Sequence, residues 1–283
     1  MTVPHTPRPR RSALFMPASN ARAVAKARGI GCDVVILDLE DAVAPEEKVA
    51  ARAQAVAAVR EGGFGTRELV VRVNGTGTPW GSDDLRALAA ARPDAVLVPK
   101  VDGAADVAAA HAVLGGAVPV WAMVETARSL LHTAEIAAAP GLAALVMGTN
   151  DIAKELGMRP DPARTPFLGF LAQTVAAARA HRRIVLDGVY NAIGDVDGFA
   201  RECAQGAAFG FDGKTLIHPT QVAPCNAAFS PDPAAIAWAE TIVRAFAAPD
   251  AAGRGAIRVD GQMVERLHLD MARRTLAMAR AVE

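Results

Sequence analysis

The chain has 283 residues, 52% of them hydrophobic, 21% charged and 5% aromatic, and its 30 basic and 30 acidic side chains leave no formal charge. A balanced charge excludes a chain-wide basic face for nucleic acid, and the apolar content excludes a disordered polymer. No apolar run reaches the roughly 18 residues a membrane span needs. Met1–Pro9 lacks the apolar stretch of a signal peptide. Cys32, Cys203 and Cys225 are scattered and form no C-x-x-C pair, which argues against a disulfide framework or a zinc site and fits a reducing, cytoplasmic setting. Arg8, Arg10, Arg11, Arg22 and Arg28 form the densest basic stretch and read as a solvated N-terminal tail.

In chain order, the apolar runs that predict strands are Ala13–Pro17, Val34–Asp41, Leu69–Asn74, Ala95–Lys100, Val118–Glu125, Ala143–Gly148, Ile184–Val189 and Gly210–Ile217. Helical stretches lie between them, among them Pro45–Arg60, Asp83–Ala91, Asp106–Val113, Ser129–Ala139 and Phe167–His181. Pro45 followed by Glu46 and Glu47 supplies a first-turn proline with acids at the positive helix end, and Ser82-Asp83-Asp84 suits an N-cap. Eight alternations predict a parallel sheet covered on both faces, and the length matches a closed (β/α)8 TIM barrel. An open doubly wound sheet is the rival, but no G-x-G-x-x-G opens the first helix. From Pro219 the alternation breaks into a helix around Pro233–Phe246, a strand Ala256–Asp260 and, after Gly261, a final helix from Val264 to Val282. The expected organisation is a catalytic barrel over 10–220 and a C-terminal helical and hairpin extension over 221–283, packed on the barrel or on a neighbouring subunit.

Barrel chemistry sits at the C-terminal ends of the strands, and here five consecutive strands end in charge. These ends carry Asp38, Glu40 and Asp41, then Arg72 and Asn74, then Lys100, then Glu125, then Asn150 and Asp151. A lone carboxylate after a strand commonly caps the next helix, and Asp41 and Asp151 are open to that reading. A ring of carboxylates with one arginine and one lysine is harder to dismiss, because buried charges must be paired or hold a metal. Glu125 and Asp151 end adjacent strands and are the candidate metal pair. With no histidine or cysteine beside them, magnesium is the expected ion, most of its octahedral shell left to water and substrate. Of the histidines, His5, His111, His132, His181 and His268 read as surface or helix-end residues, while His218 closes the last strand.

The strings Leu37-Asp38-Leu39-Glu40-Asp41-Ala42-Val43, Val71-Arg72-Val73-Asn74, Pro99-Lys100, Glu125-Thr126, Gly148-Thr149-Asn150-Asp151 and Phe211-Asp212-Gly213-Lys214-Thr215-Leu216-Ile217-His218-Pro219-Thr220-Gln221 fall in order. Together they resemble the citrate lyase β-subunit-like branch of the HpcH/HpaI aldolase family, which includes malyl-CoA and citramalyl-CoA lyases. The resemblance runs from Arg11 to the C-terminus. It implies a (β/α)8 barrel, Mg2+ on Glu125 and Asp151, an acyl-CoA thioester and an α-keto acid as partners, and a homotrimer or hexamer. It also implies that Arg72 binds the keto acid or the thioester oxyanion. Relatives carry an acid/base Asp after Gly-x-Met-Val/Ile, and here Gly261-Gln262-Met263-Val264 is followed by Glu265, one methylene longer.

The expected activity is a magnesium-dependent carbon–carbon lyase acting on a 3-hydroxyacyl-CoA such as malyl-CoA or citramalyl-CoA. In that reading Arg72, Glu265, Asp38 and Glu40 carry the chemistry, and Arg72, Glu125, Asn74 and Lys100 bind substrate. The alternatives are a metal aldolase on free acids, a Schiff-base aldolase through Lys100 or Lys214, and a citrate lyase β subunit taking a carrier-bound thioester or surviving only as a binding subunit.

Overall fold

Eight short parallel strands pair in sequence order and close on themselves, β1 (Ser12–Pro17) meeting β8 (Gly213–Leu216). Between them lie β2 (Val34–Asp38), β3 (Glu68–Arg72), β4 (Ala95–Val98), β5 (Val120–Val124), β6 (Leu142–Met147) and β7 (Ile184–Asp187). The computed structural model describes residues 8–282; the first seven residues, His5 among them, and Glu283 lie outside the described residues. The closed parallel ring surrounded by helices is the (β/α)8 barrel that the alternation predicts.

Near-continuous Val, Ile, Leu and Ala are needed because each strand is buried twice. Alternate residues point into the barrel, where Val34, Ile36, Val70, Leu97, Trp121 and Val146 form one cluster. Their neighbours Val35, Leu37, Val71, Val96, Ala122 and Leu145 belong to a second layer beneath the helices. The helix Lys48–Glu61 follows a single 3-10 turn at Pro45–Glu47, buries Ala51, Ala55 and Ala58, and stops where Gly62 takes φ +67°.

The sixth strand keeps its predicted length, shifted by one residue to Leu142–Met147, while the other predicted strands from the second onward are observed shorter. Asp38 and Arg72 are the last residues of their strands, whereas Glu40, Lys100, Glu125 and Asp151 follow theirs. The predicted helix Ser129–Ala139 is two helices, Ala127–Leu131 and Thr133–Ala138, interrupted at His132. The arginine-rich segment is not a solvated tail: Arg10 pairs with Glu68, Arg11 with Asp33 at 2.8 Å and Arg28 with Glu61 at 2.8 Å. Arg10 also stacks 5.9 Å from the Trp121 ring.

The barrel unit runs from Arg10 to Phe229, since Cys225 donates its thiol hydrogen to the Arg11 carbonyl and Ser12 donates to Asn226. The second unit, from Ser230 onward, has its own core of Ala239, Ile242, Val259, Val264, Leu269 and Ala272. Its hairpin joins β9 (Ala256–Val259) to β10 (Gln262–Glu265) through Asp260 and Gly261, both left-handed at φ +46° and +81°. That Asp-Gly pair is a type I′ hairpin signal, and it moves the final helix to Arg266–Val282 rather than Val264 onward. No helix among the described residues is long and apolar enough to cross a membrane.

Gly213 opens β8 where a Cβ would stand 2.0 Å from the Arg10 carbonyl oxygen and 2.5 Å from that of Arg11. Backbone atoms cannot swing aside, so Gly213→Ala is expected to destabilise the barrel by about 1–3 kcal/mol. Urea denaturation followed by circular dichroism measures this.

Candidate active site

Parallel pairing of β2 with β3 sets Asp38 opposite Arg72, and both are buried. The guanidinium donates Nε–H to Asp38 Oδ1 and Nη2–H to Asp38 Oδ2, each at 2.7 Å, the fork geometry that only arginine supplies. The same carboxylate accepts the backbone N–H groups of Glu40 and Ala42 at 2.9 and 3.1 Å, folding the loop after β2 around itself. That fold carries Glu40 Oε2 to 2.8 Å from Arg72 Nη1, where Oε2 makes no hydrogen bond. Asp41 stands further out, exposed, at 3.4 Å from Nη1. The Phe15 ring lies 4.8 Å from the guanidinium carbon.

Burial pushes the Glu40 carboxyl up to about 8; Arg72 pulls against it, while Glu125, Asp41 and Asp38 add to the rise. Arg72 stays charged, because its carboxylate neighbours outweigh the effect of burial.

Glu125 follows β5 and is only 1% exposed, while Asp151 lies half-buried in the first turn of the helix Thr149–Glu155 after β6. Lys100, two residues past β4, connects them. Its backbone N–H donates to Glu125 Oε1 at 2.8 Å, and its Nζ lies 2.5 Å from Asp151 Oδ1 and 3.4 Å from Glu125 Oε1. One ammonium touches both carboxylates, so Glu125 Oε1 and Asp151 Oδ1 converge on the position that the Lys100 ammonium occupies. Glu125 Oε2 and Asp151 Oδ2 accept no hydrogen bond among the described residues. Gly148 permits the close approach of the Glu125 side chain, because a Cβ there would stand 2.4 Å from Glu125 Cβ and 2.6 Å from its Oε2.

Arg72, Asp38, Glu125, Asn150, Asp151 and Thr215 line a cavity of about 290 Å3 at the barrel mouth. Among the described residues no group of three or more His, Cys, Asp or Glu side chains is arranged to hold a metal. A hard cation held by one oxygen from each of two carboxylates, with water and substrate filling the rest, is what this pair fits. Burial raises the Glu125 carboxyl and Lys100 opposes that rise, so a cation of either kind favours its ionised form.

The remaining sequence candidates are placed as follows. Asn74 gives both its backbone N–H and its Nδ2 to Asp84 Oδ2, at 3.0 and 2.7 Å, and so braces the helix Gly81–Ala91. Lys214 is fully buried against Asp187 at 3.2 Å and Glu202 at 2.5 Å, and these carboxylates hold it protonated against burial. Lys100 is held protonated in the same way by Asp151 and Glu125. Neither is the free amine that Schiff-base chemistry requires. His218 caps the 3-10 turn Pro219–Gln221 and accepts from the Thr220 N–H. Glu265 ends β10 in the C-terminal unit, where its backbone N–H donates to His268 Nδ1.

Phe15, Met123, Thr215 and Asn191 also line the mouth, and no local sequence signal singles them out. Asn191 exchanges amide hydrogen bonds with Asn150 at 2.7 and 3.3 Å. Thr149, Asn150, Val189 and Asn191 also border a second cavity of about 350 Å3, which is larger but does not contain the converging carboxylates.

Glu40 yields a pH prediction for metal-free protein. The native state holds its proton to about pH 8, whereas an unfolded carboxyl releases it near 4.5. Between those values the native state binds more protons, so unfolding free energy falls as pH rises, by up to roughly 1.4 kcal/mol per unit. Denaturant titrations across this range are expected to show the decline in wild-type protein and its loss in Glu40→Gln.

Comparison with known proteins places this geometry. Residues 11–219 match the HpcH/HpaI aldolase/citrate lyase family. The chain is 49% identical over 278 residues to (3S)-malyl-CoA thioesterase of Cereibacter sphaeroides, covering 98% of this chain and 97% of that protein. It is 36% identical over 292 residues to the L-malyl-CoA/beta-methylmalyl-CoA lyase of the same species, covering 93% and 92%. The crystal structure of CitE from Mycobacterium tuberculosis in complex with magnesium, acetoacetate and coenzyme A superposes with a TM-score of 0.79 at 34% identity, covering 98% of this chain and 100% of that one. The chain belongs to the HpcH/HpaI aldolase/citrate lyase family.

Proposed function

We propose that this chain hydrolyses a CoA thioester of a 3-hydroxy dicarboxylic acid, of the malyl-CoA type, with Mg2+ held by Glu125 and Asp151. The observation that carries the reading is the convergence of those two carboxylates beside a charged, buried arginine in one cavity. The thioesterase likeness at 49% identity over nearly the whole of both chains supports hydrolysis as the outcome. Magnesium in that place supplies Lewis acidity toward the oxygens of a bound hydroxy acid.

The chain's own residues do the rest. Arg72, held in orientation by Asp38, binds the substrate's carboxylate or the oxyanion that develops at the thioester carbonyl. Glu40 keeps its proton through neutral pH and takes or gives one at the reacting group. Glu265 stays a candidate for proton transfer, and assembly as a homotrimer or hexamer belongs to the same proposal. Hydrolysis adds water across the C–S bond and releases the free hydroxy acid and CoA.

A second reading is the carbon–carbon lyase that the sequence motifs imply, supported by the 36% identical malyl-CoA lyase. It breaks the bond between the hydroxyl-bearing carbon and the thioester α-carbon, giving a keto acid and acetyl-CoA. The two readings differ in products. Incubation with malyl-CoA and magnesium is expected to yield malate and free CoA in equal amounts without glyoxylate. Glyoxylate and acetyl-CoA in equal amounts decide for the lyase. The same assay with citramalyl- and citryl-CoA and with the free acids reports substrate class.

Glu125→Ala and Asp151→Ala are each expected to lower magnesium-dependent turnover at least about 100-fold while leaving the circular dichroism spectrum unchanged. Wild-type rates in either variant refute the metal assignment.

A further inference from the structure

Lys100 holds an uncommon backbone conformation for a side-chain-bearing residue, with φ +53° in the left-handed region. That conformation lets one residue reach both acids of the site. Its N–H turns back onto Glu125 Oε1 at 2.8 Å, while its side chain crosses to Asp151 Oδ1 at 2.5 Å. Each carboxylate is engaged through one oxygen, and the partner oxygens, Glu125 Oε2 and Asp151 Oδ2, accept no hydrogen bond among the described residues. Glu125 packs against the bare Cα of Gly148, where a Cβ would stand 2.4 Å from Glu125 Cβ and 2.6 Å from Oε2.

We propose that Lys100 is a positioning residue that braces the outer oxygens of Glu125 and Asp151 so that their inner oxygens face one cation. The brace consists of a main-chain donor and an ammonium from the same residue, and the left-handed backbone makes the two simultaneous. This inference rests on the magnesium reading of the carboxylate pair.

Two physical accounts of Lys100 predict opposite signs. If the ammonium were only a nearby positive charge, it would repel a divalent ion, and removing it would tighten metal binding. If it positions the carboxylates, removing it frees them to separate under mutual repulsion, and metal binding weakens. Magnesium titration by calorimetry, repeated with Mn2+ by electron paramagnetic resonance, on wild type, Lys100→Met and Lys100→Gly distinguishes them without any turnover assay. Lys100→Met is expected to raise the metal Kd at least tenfold. Lys100→Gly keeps a residue at home in the left-handed region, and with it the N–H to Glu125. It is therefore expected to weaken binding less than Lys100→Met.

Unchanged or tighter binding in Lys100→Met, with a native circular dichroism spectrum, overturns the positioning role. Should that variant fail to fold, unchanged or tighter binding in Lys100→Gly overturns it equally. Wild-type protein that takes up neither ion, with Glu125→Ala as the blank, brings down the metal reading itself, a result separable from the first.

Discussion

The bidentate contact between Arg72 and Asp38 is the interaction on which the rest of the barrel mouth depends. It is a cross-strand pair in a parallel ladder, so its geometry is set by the register of β2 against β3 rather than by a flexible loop. Asp38 spends its remaining hydrogen-bonding capacity on the N–H groups of Glu40 and Ala42. One carboxylate therefore orients the arginine, shapes the loop after β2 and brings Glu40 against the arginine. Removing one member of such a buried pair typically costs about 3–5 kcal/mol, because the other is left uncompensated.

Charge neutrality is the second constraint. The mouth collects Asp38, Glu40, Glu125 and Asp151 against Arg72 and Lys100. Two cations stand against four carboxylates; burial pushes the Glu40 carboxyl up to about 8 and raises that of Glu125, and neighbouring carboxylates add to both rises. That surplus of negative charge supports the proposed divalent ion at Glu125 and Asp151. The second buried cluster, Asp187 and Glu202 against Lys214 and Arg164, has equal numbers of each sign. It calls for no further ion and reads as support for β7 and β8.

In both proposed readings, hydrolysis and carbon–carbon cleavage start from one thioester substrate that the same residues would bind. They diverge in where the proton and the electron pair go next. A family whose members are described as lyases and thioesterases is what such an arrangement permits.

The amino-acid sequence by itself determined the barrel, since eight apolar runs spaced by alanine-rich helices have few other ways to bury both faces of a parallel sheet. It also determined the charged strand ends, because strand polarity alone puts Asp38, Arg72, Lys100, Glu125 and Asp151 at one mouth. Only the tertiary structure decided which of these charges are paired and which oxygens stay free. Asn74 follows β3 as Glu125 follows β5, yet its hydrogen bonds go to Asp84, ten residues along the chain, and this depends on how the helix Gly81–Ala91 packs. Lys100 is an ordinary lysine in the sequence, and its role comes from a φ that no neighbouring residue announces. The Asp260-Gly261 turn was legible as a hairpin signal, but a helical pattern running up to it from the C-terminal side hid the second strand. Periodicity records which face of an element is buried; it carries no information about partners distant in sequence, and the chemistry of this site is made of such partners.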